Sequence, residues 1–456
     1  YETILTANTY DKKSCNRMAS FFGRFGYNYK GRYLANVNVR TDASSRFGRD
    51  NRWGTFPSVS LGWRISDEKF MKWSKSFITD MKIRASYGIT GNQTAGDFAS
   101  MRLYEASRYA TYLGLVPTQL ENSELGWETT RQTNIGLDLL MFNSRLNIVF
   151  DLYDKYTYDV LYTVRLPQTS GFASTYDNVG DVSNKGLELS LKGILFKNKD
   201  WEAALSGSFS INKNMIKSIP EGGEQFINDI YYMAEGYEIG TMYGYKALAV
   251  FPYDESNAFT KDWQQLTPIY NERGVFQGKY LLNGEPCDIK PEEVNRLKYD
   301  NVNGQVFKGG DVMWDDLNKD GVIDAKDRQV IGHGIHDIVG GLGGDLKYKN
   351  WSLSFFFNYS FGGDVFNYNK YDINAYQWSP KTKVDPIVMQ NSWLAPGDVK
   401  KYPKPAKSFV QNTRLNSSLW VEDGSFIRLN NLRLSYSFPE KWCKKMRVKG
   451  LSISAQ

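Results

Sequence analysis

Along residues 351–361 the chain alternates at every position. Trp351, Leu353, Phe355, Phe357, Tyr359 and Phe361 share one phase, and Ser352, Ser354, Phe356, Asn358 and Ser360 share the other. Successive side chains of a strand point to opposite faces, so this segment presents one apolar face and one small or polar face. The same two-residue period recurs at 21–27, 33–40, 57–65, 81–90, 133–139, 146–152, 187–191, 201–211, 342–348, 432–436 and 451–453, which predicts about twelve strands. Strands of a soluble sandwich run about 5–6 residues, whereas crossing a bilayer takes roughly 9–11, and the length of 351–361 fits the second figure.

The connections between these strands sort into two kinds that take strict turns. Short turns are expected at Lys30, Asn143, 197–200, Lys349 and 439–448, and long connections at 42–55, 91–127, 156–184, 213–336 and 362–425. The connection 66–79 falls on the short side and carries Phe70, Met71, Trp73 and Phe77 at helix-like spacing, which predicts a helix along the rim. A large soluble β-sandwich or propeller also produces alternating strands. It does not put loops longer than about 12–15 residues on one side only, whereas a membrane barrel has short turns at one rim and long loops at the other.

Composition sharpens this. No apolar run approaches the 18 or so residues of a spanning helix, and mean hydropathy is −0.49, yet a barrel needs only every second residue to face lipid. The net charge of +6 on 456 residues, without a long basic run, does not call for nucleic acid. Cys15, Cys287 and Cys443 lie far apart with no CxxC spacing, so at most one pair could form, and His333 and His336 read as loop residues. No secretion signal opens the chain at Tyr1. Trp63 and Trp201, near strand ends, are expected in the interfacial girdles that anchor barrels.

The sharpest local motif is DLNKDGVIDAKD. Asp316, Asn318 and Asp320 take positions 1, 3 and 5 of a calcium loop, with Gly321 at the sharp turn, the Val322 carbonyl at 7, Asp324 at 9 and Asp327 at 12. Position 12 is Asp where Glu is usual, no helix pair flanks the loop, and the alternative is an acidic Asx turn on a surface loop. Bound Ca2+ would be structural, pinning the 213–336 loop against its entropy. In 362–425, Tyr368, Tyr371, Tyr376, Trp378, Trp393 and Trp420 stand among polar residues, suited to stacking on sugars or peptide side chains; the alternative is that they pack the loops on one another or form an interface with a protein that covers them. Tyr376 and Trp378 are the ligand candidates. No GxSxG, HExxH or paired-carboxylate motif occurs on a stiff element, so no catalytic residue is assigned. The glycines of GGLGGD at 340–345 are expected to relieve crowding within a strand, not to hold phosphate.

The segments PSVSLGWRISDEKFM (57–71), KIRASYGITGNQ (82–93), LGWETTRQTNIGLDL (125–139), NVGDVSNKGLELSLKG (178–193), DLNKDGVIDAKDRQVIG (316–332) and GSFIRLNNLRLSYSFP (424–439) resemble the SusC/RagA family of TonB-dependent outer-membrane transporters, in its C-terminal barrel portion. The resemblance implies an all-β transmembrane antiparallel barrel with long extracellular loops in the cell outer membrane, of which residues 1–456 hold about 12 of an expected 22 strands. It implies import of a large nutrient, glycan or peptide, in a SusCD-like complex. The partners are then a SusD-like surface lipoprotein, the TonB complex through a missing N-terminal region, and outer-membrane lipid. The chain departs from the pattern in lacking plug and TonB box and in stopping at Gln456 without a terminal aromatic. The expectation is a segment of a longer chain, since twelve strands alone would leave two unpaired edges in lipid. The alternative function is a calcium-stabilised surface binding protein or adhesin without transport; a loop-borne glycan hydrolase is disfavoured.

Overall fold

The computed structural model describes residues 14–456 apart from 110–111, 221–224, 228–229, 301–303, 376–385 and 405–415. Twelve strands form one sheet: β1 (Met18–Tyr29), β2 (Tyr33–Ser44), β3 (Trp53–Arg64), β4 (Ile78–Asn92), β5 (Glu128–Met141), β6 (Leu146–Tyr158), β7 (Asp181–Lys197), β8 (Trp201–Ser218), β9 (Ile338–Tyr348), β10 (Trp351–Phe361), β11 (Phe426–Ser437) and β12 (Ser452–Ala455). Each pairs antiparallel with its sequence neighbour, the up-and-down order that closed barrels use. β7 and β8, at 17 and 18 residues, reach well past the roughly 9–11 that a bilayer needs, so their ends stand clear of it.

Because paired residues share a face, the register shows what each side of the sheet is made of. Tyr27, Ala35, Leu61, Ala85, Ile135, Leu152, Leu187, Ile211, Ile338 and Phe361 pair in succession from β1 to β10, an unbroken apolar row. The opposite face carries Arg24, Asn38, Ser58, Gly88, Gln132, Lys155, Asn184 and Asn214 in an equally continuous row from β1 to β8. In β10, Ser352 and Ser354 fall on the polar face with Lys347 and Asp345 of β9 and Ser435 and Arg433 of β11. On β8 the apolar phase runs from Trp201 to Ile211, about 33 Å along the strand and roughly 25 Å in height at the tilt usual in such barrels.

The alternation of connections holds throughout. Residues 30–32, 65–77, 142–145, 198–200, 349–350 and 438–451 join strands at one rim, and 45–52, 93–127, 159–180, 219–337 and 362–425 join them at the other. The rim segment at 65–77 is not the α-helix its spacing suggests: it holds 3-10 turns at Ile65–Asp67 and Lys69–Ser74. Phe70 and Trp73 are also compatible with a period of three, and sequence pattern alone does not separate the two over so short a span.

The largest apolar core lies outside the sheet. The two longest connections fold together, burying Phe251, Trp314 and Ile323 from one against Val388, Tyr402 and Trp420 from the other; both Trp314 and Trp420 are 1% exposed. The 213–336 loop therefore has an apolar core of its own to offset its ordering entropy, and a cation is not needed for that alone. Cys15, Cys287 and Cys443 are all free thiols.

Within the sheet, glycines of β9 make room for rings of β10. Tyr359 lies over Gly340 and donates from its Oη to the Ser208 carbonyl at 2.8 Å, and a Cβ on Gly340 would stand 2.2 Å from that carbonyl oxygen and 2.4 Å from Tyr359 Oη. Phe355 covers Gly344 in the same way, 2.4 Å from where a Cβ would sit. Gly340→Val is expected to destabilise the folded barrel by about 1–3 kcal/mol and Tyr359→Phe by about 1 kcal/mol, read as earlier loss of the heat-modifiable folded band on unboiled gels. A Gly340→Val protein as heat-resistant as the parent would refute this account of β9.

Candidate functional site

The polar face carries a charged hub at mid-sheet. Arg84 on β4 donates from Nε to Asp138 Oδ1 of β5 at 2.9 Å and from Nη2 to Asp151 Oδ2 of β6 at 3.0 Å, while Lys82 Nζ stands 3.5 Å from Asp138 Oδ2. Gly136 lies beneath these groups: a Cβ there would fall 2.5 Å from Asp151 Oδ1 and 2.7 Å from Arg84 Cζ. The glycine is what lets one guanidinium bridge two strands. Nearer the long-connection rim the same face holds a cavity of about 510 Å3 lined by Asn38, Arg40, Asp42, Phe56, Thr90 and Trp127. Arg40 Nε donates to both oxygens of the buried Asp42, at 2.9 and 2.8 Å. The alternation puts residue 40 on the polar phase of 33–40 and residue 42 in the connection 42–55, whereas both lie in β2; nothing in the alternation distinguishes a hub from any other polar position.

At the long-connection rim the calcium-type motif forms a single compact turn. Asp316 Oδ2 accepts from the Gly321 amide at 2.9 Å, Asn318 Oδ1 from Asp320 at 3.1 Å, Asp320 Oδ1 from Val322 at 2.9 Å and Asp324 Oδ1 from Lys326 at 2.7 Å. Asp327, fully buried, closes the turn by accepting from the amides of Leu317 at 3.0 Å and Asp324 at 2.8 Å. Gly321 has φ +81, and a Cβ there would meet the Trp263 ring at 2.3 Å, so only glycine fits. Burial pushes the Asp316 and Asp327 carboxyls above the ordinary range, and the neighbouring acids add to it. Asp316 Oδ1 is buried and has no hydrogen-bond partner. Lys326 Nζ is 3.9 Å from both Asp320 and Asp324. Among the described residues, no three His, Cys, Asp or Glu side chains are gathered into a metal-holding group.

The aromatic residues of 362–425 divide. Tyr371 and Trp420 are core, with ring centroids 5.6 Å apart, and Trp393 is tied by its Nε1 to the Pro252 carbonyl at 3.1 Å. Tyr368 is exposed. Tyr376 and Trp378 lie outside the described residues. Polar groups near these rings join the two long connections at Lys404, whose Nζ is 3.0 Å from Asp311 Oδ1, and close the second connection on itself where Asn367 and Lys370 both donate to Glu422. The hydrogen bonds from Lys370 and Asn367 hold the Glu422 carboxyl below its ordinary range. His333 stands 3.6 Å from Glu238, a loop contact.

Known proteins resemble this chain over nearly its whole length. A family model described as TonB dependent receptor-like, beta-barrel matches residues 1–285. The chain is 41% identical over 442 residues to TonB-dependent receptor P39 of Formosa agariphila, covering 96% of this chain and 42% of that protein. It is 30% identical over 445 residues to TonB-dependent receptor SusC of Bacteroides thetaiotaomicron, covering 96% and 39%. Among solved structures, that of the RagAB peptide importer in the closed-closed state matches with a TM-score of 0.74 at 25% identity, over 96% of this chain and 44% of that one. The chain thus spans about two fifths of the length of the curated relatives it matches.

Arg84→Gln leaves Asp138 and Asp151 facing each other across Gly136, and is expected to lower stability by about 1–3 kcal/mol. Adding Asp151→Asn removes the uncompensated charge and should recover part of the loss. Urea-unfolding midpoints of the full-length barrel in detergent measure both; equal midpoints for all three proteins would show that the hub contributes nothing.

Proposed function

The chain belongs to the TonB dependent receptor-like β-barrel family of outer-membrane proteins, and from that membership we propose that it forms part of the wall of an importer. The protein it belongs to takes up a large nutrient, an oligosaccharide or oligopeptide, as the barrel component of a SusCD-like complex. The observation that carries the reading is the two-faced sheet: an apolar row unbroken over ten strands backs a face of Arg, Lys, Asp, Asn and Ser that suits a wet passage. The loop unit built on Trp314 and Trp420 supports it, because a packed core gives the long-connection rim a rigid surface of the kind a SusD-like surface lipoprotein could seat on. The likeness to SusC and to the RagAB peptide importer supports a glycan or peptide cargo, with TonB supplying the energy. The relatives carry the name of receptors, and the polar face with its charged and amide side chains suits passing contact with cargo, with no catalytic role assigned to it.

The turn at 316–327 is read as a structural Ca2+ site with Asp316, Asn318, Asp320, the Val322 carbonyl, Asp324 and Asp327 as ligands. In its favour are the unpartnered buried Asp316 Oδ1 and the buried Asp327 held in the same turn. When bound, the cation supplies charge neutralisation and a cross-link. Filling it requires Asp320 and Asp324 to leave Lys326 and turn inward.

Two experiments test these readings. Deleting the full-length gene and restoring it in its own host should abolish and recover growth on one class of oligosaccharide or oligopeptide as sole nutrient; unchanged growth with lost surface attachment would favour the adhesin reading. Adding Ca2+ to the full-length protein at neutral pH should raise its melting temperature, and Asp316→Asn should remove most of the increase. Without calcium the pH dependence has a defined sign. Both carboxyls have folded pKa values above their unfolded ones, so the stability that protonation contributes is present below the ordinary carboxylate pKa and is lost as pH rises through the raised folded values. Saturating Ca2+ should reverse that slope, and parallel melting curves with and without Ca2+ across this range would exclude the site.

A further inference from the structure

At the short-connection rim, the 3-10 turn Lys69–Ser74 and the residues after it sort by threes. A 3-10 helix has three residues per turn, so side chains three apart eclipse one another. Lys69, Lys72 and Lys75 form one row, Phe70 and Trp73 a second, and the buried Met71 and Ser74 a third that docks the segment on the barrel. Phe70 is 60% and Trp73 70% exposed. The Phe70 ring lies 6.4 Å from Trp63, edge-on, and Trp63 is on the apolar face of the sheet, paired with Tyr33 and Ile83. The aromatic row therefore continues the edge of the apolar belt, and the lysine row stands beside it.

The acids that could neutralise those lysines are engaged elsewhere. Glu68 accepts from Tyr33 Oη at 2.6 Å and Trp63 Nε1 at 3.2 Å and lies 3.6 Å from Arg32; Asp67 is 3.9 Å from Arg64. Among the described residues no carboxylate pairs with Lys69, Lys72 or Lys75.

The same chemistry recurs on the rim at 438–451. Trp442, 58% exposed, lies 6.0 Å from Phe438, which continues through Tyr436 at 5.2 Å to Trp351 at 4.8 Å on the apolar face, with Lys441 and Lys445 alongside. Two connections so far apart along the sheet present exposed aromatic side chains at the belt edge with lysines next to them. A ligand that meets both is a plane. Rings of this kind sit at the headgroup level of a bilayer, and lysines extend from it to phosphate.

We propose that the short-connection rim binds anionic phospholipid of the inner leaflet of the outer membrane, with Lys69, Lys72 and Lys75 on the headgroup phosphates and Phe70 and Trp73 in the headgroup and acyl boundary. It rests on the membrane placement of the sheet and not on import, so failure of the import reading leaves it standing.

The test is a titration of the full-length protein, in non-ionic detergent at low salt, with dioctanoyl phosphatidylglycerol and dioctanoyl phosphatidylcholine, bound lipid being counted by native mass spectrometry. The expected result is about tenfold tighter binding of phosphatidylglycerol, falling to the phosphatidylcholine level in the Lys69→Gln, Lys72→Gln, Lys75→Gln triple variant and at high salt. Trp73→Ser should weaken both lipids and keep their ratio. The heat-modifiable gel shift confirms that each variant is folded, and if the triple variant is not, the salt dependence of the parent decides alone. Equal affinity for the two lipids, or a triple variant that keeps the preference, overturns the proposal. Inorganic phosphate competing as well as the phospholipid also overturns it, since the site would then be one for a free anion.

Discussion

Every backbone amide and carbonyl that enters hydrocarbon must be paired within the protein, and here that pairing is between strands. It fixes far more than the presence of a sheet. Once β1 to β12 are locked in register, a side chain on one strand has its face set by its partners on the next, so a shift of one residue would turn an entire strand's apolar phase into the lumen. The apolar row from Tyr27 to Phe361 and the polar row from Arg24 to Asn214 are two readings of one set of backbone bonds. The glycines serve that register. Gly340 and Gly344 leave space for Tyr359 and Phe355, and Gly136 leaves space for Arg84 to span to Asp151.

The sheet has no buried apolar core between layers in the way a soluble protein does; its greasy face is turned outward. What resembles a soluble core sits in the two longest connections, where Trp314, Trp420 and their neighbours are nearly inaccessible. The chain thus combines two solvents in one fold. The wall is stabilised by strand pairing and by lipid, and the loop unit by burial from water; the salt bridge Lys404–Asp311 ties the loop unit's two halves together, and Lys370–Glu422 braces the second half on itself.

How much of this was legible in the sequence follows from which rules are local. The twelve strands, their faces and the alternation of connections could be read because a two-residue period and a turn are properties of consecutive residues. The acidic turn at 316–327 was legible for the same reason, down to the glycine at 321. The 3-10 form of Lys69–Ser74 was not, because periods of 3.0 and 3.6 do not separate over six residues. Nor was Arg84 as a hub, or the choice between ligand and core for Tyr371 and Trp420, both of which depend on partners many residues away, nor the Arg40–Asp42 pair, which lies within one strand but which alternation does not single out. Aromatic residues in a polar loop look alike whether they await a ligand or one another.

The loop unit also constrains the order in which the molecule comes into being. Its halves are separated in the chain by the whole β9–β10 hairpin, which lies in the membrane. Val388 and Trp420 meet Phe251 and Trp314 only with that hairpin in place and both connections on the same side of the membrane. The seam between the halves therefore exists only once β9 and β10 both stand in the wall, and its burial from water opposes retreat of the β9–β10 hairpin through the bilayer.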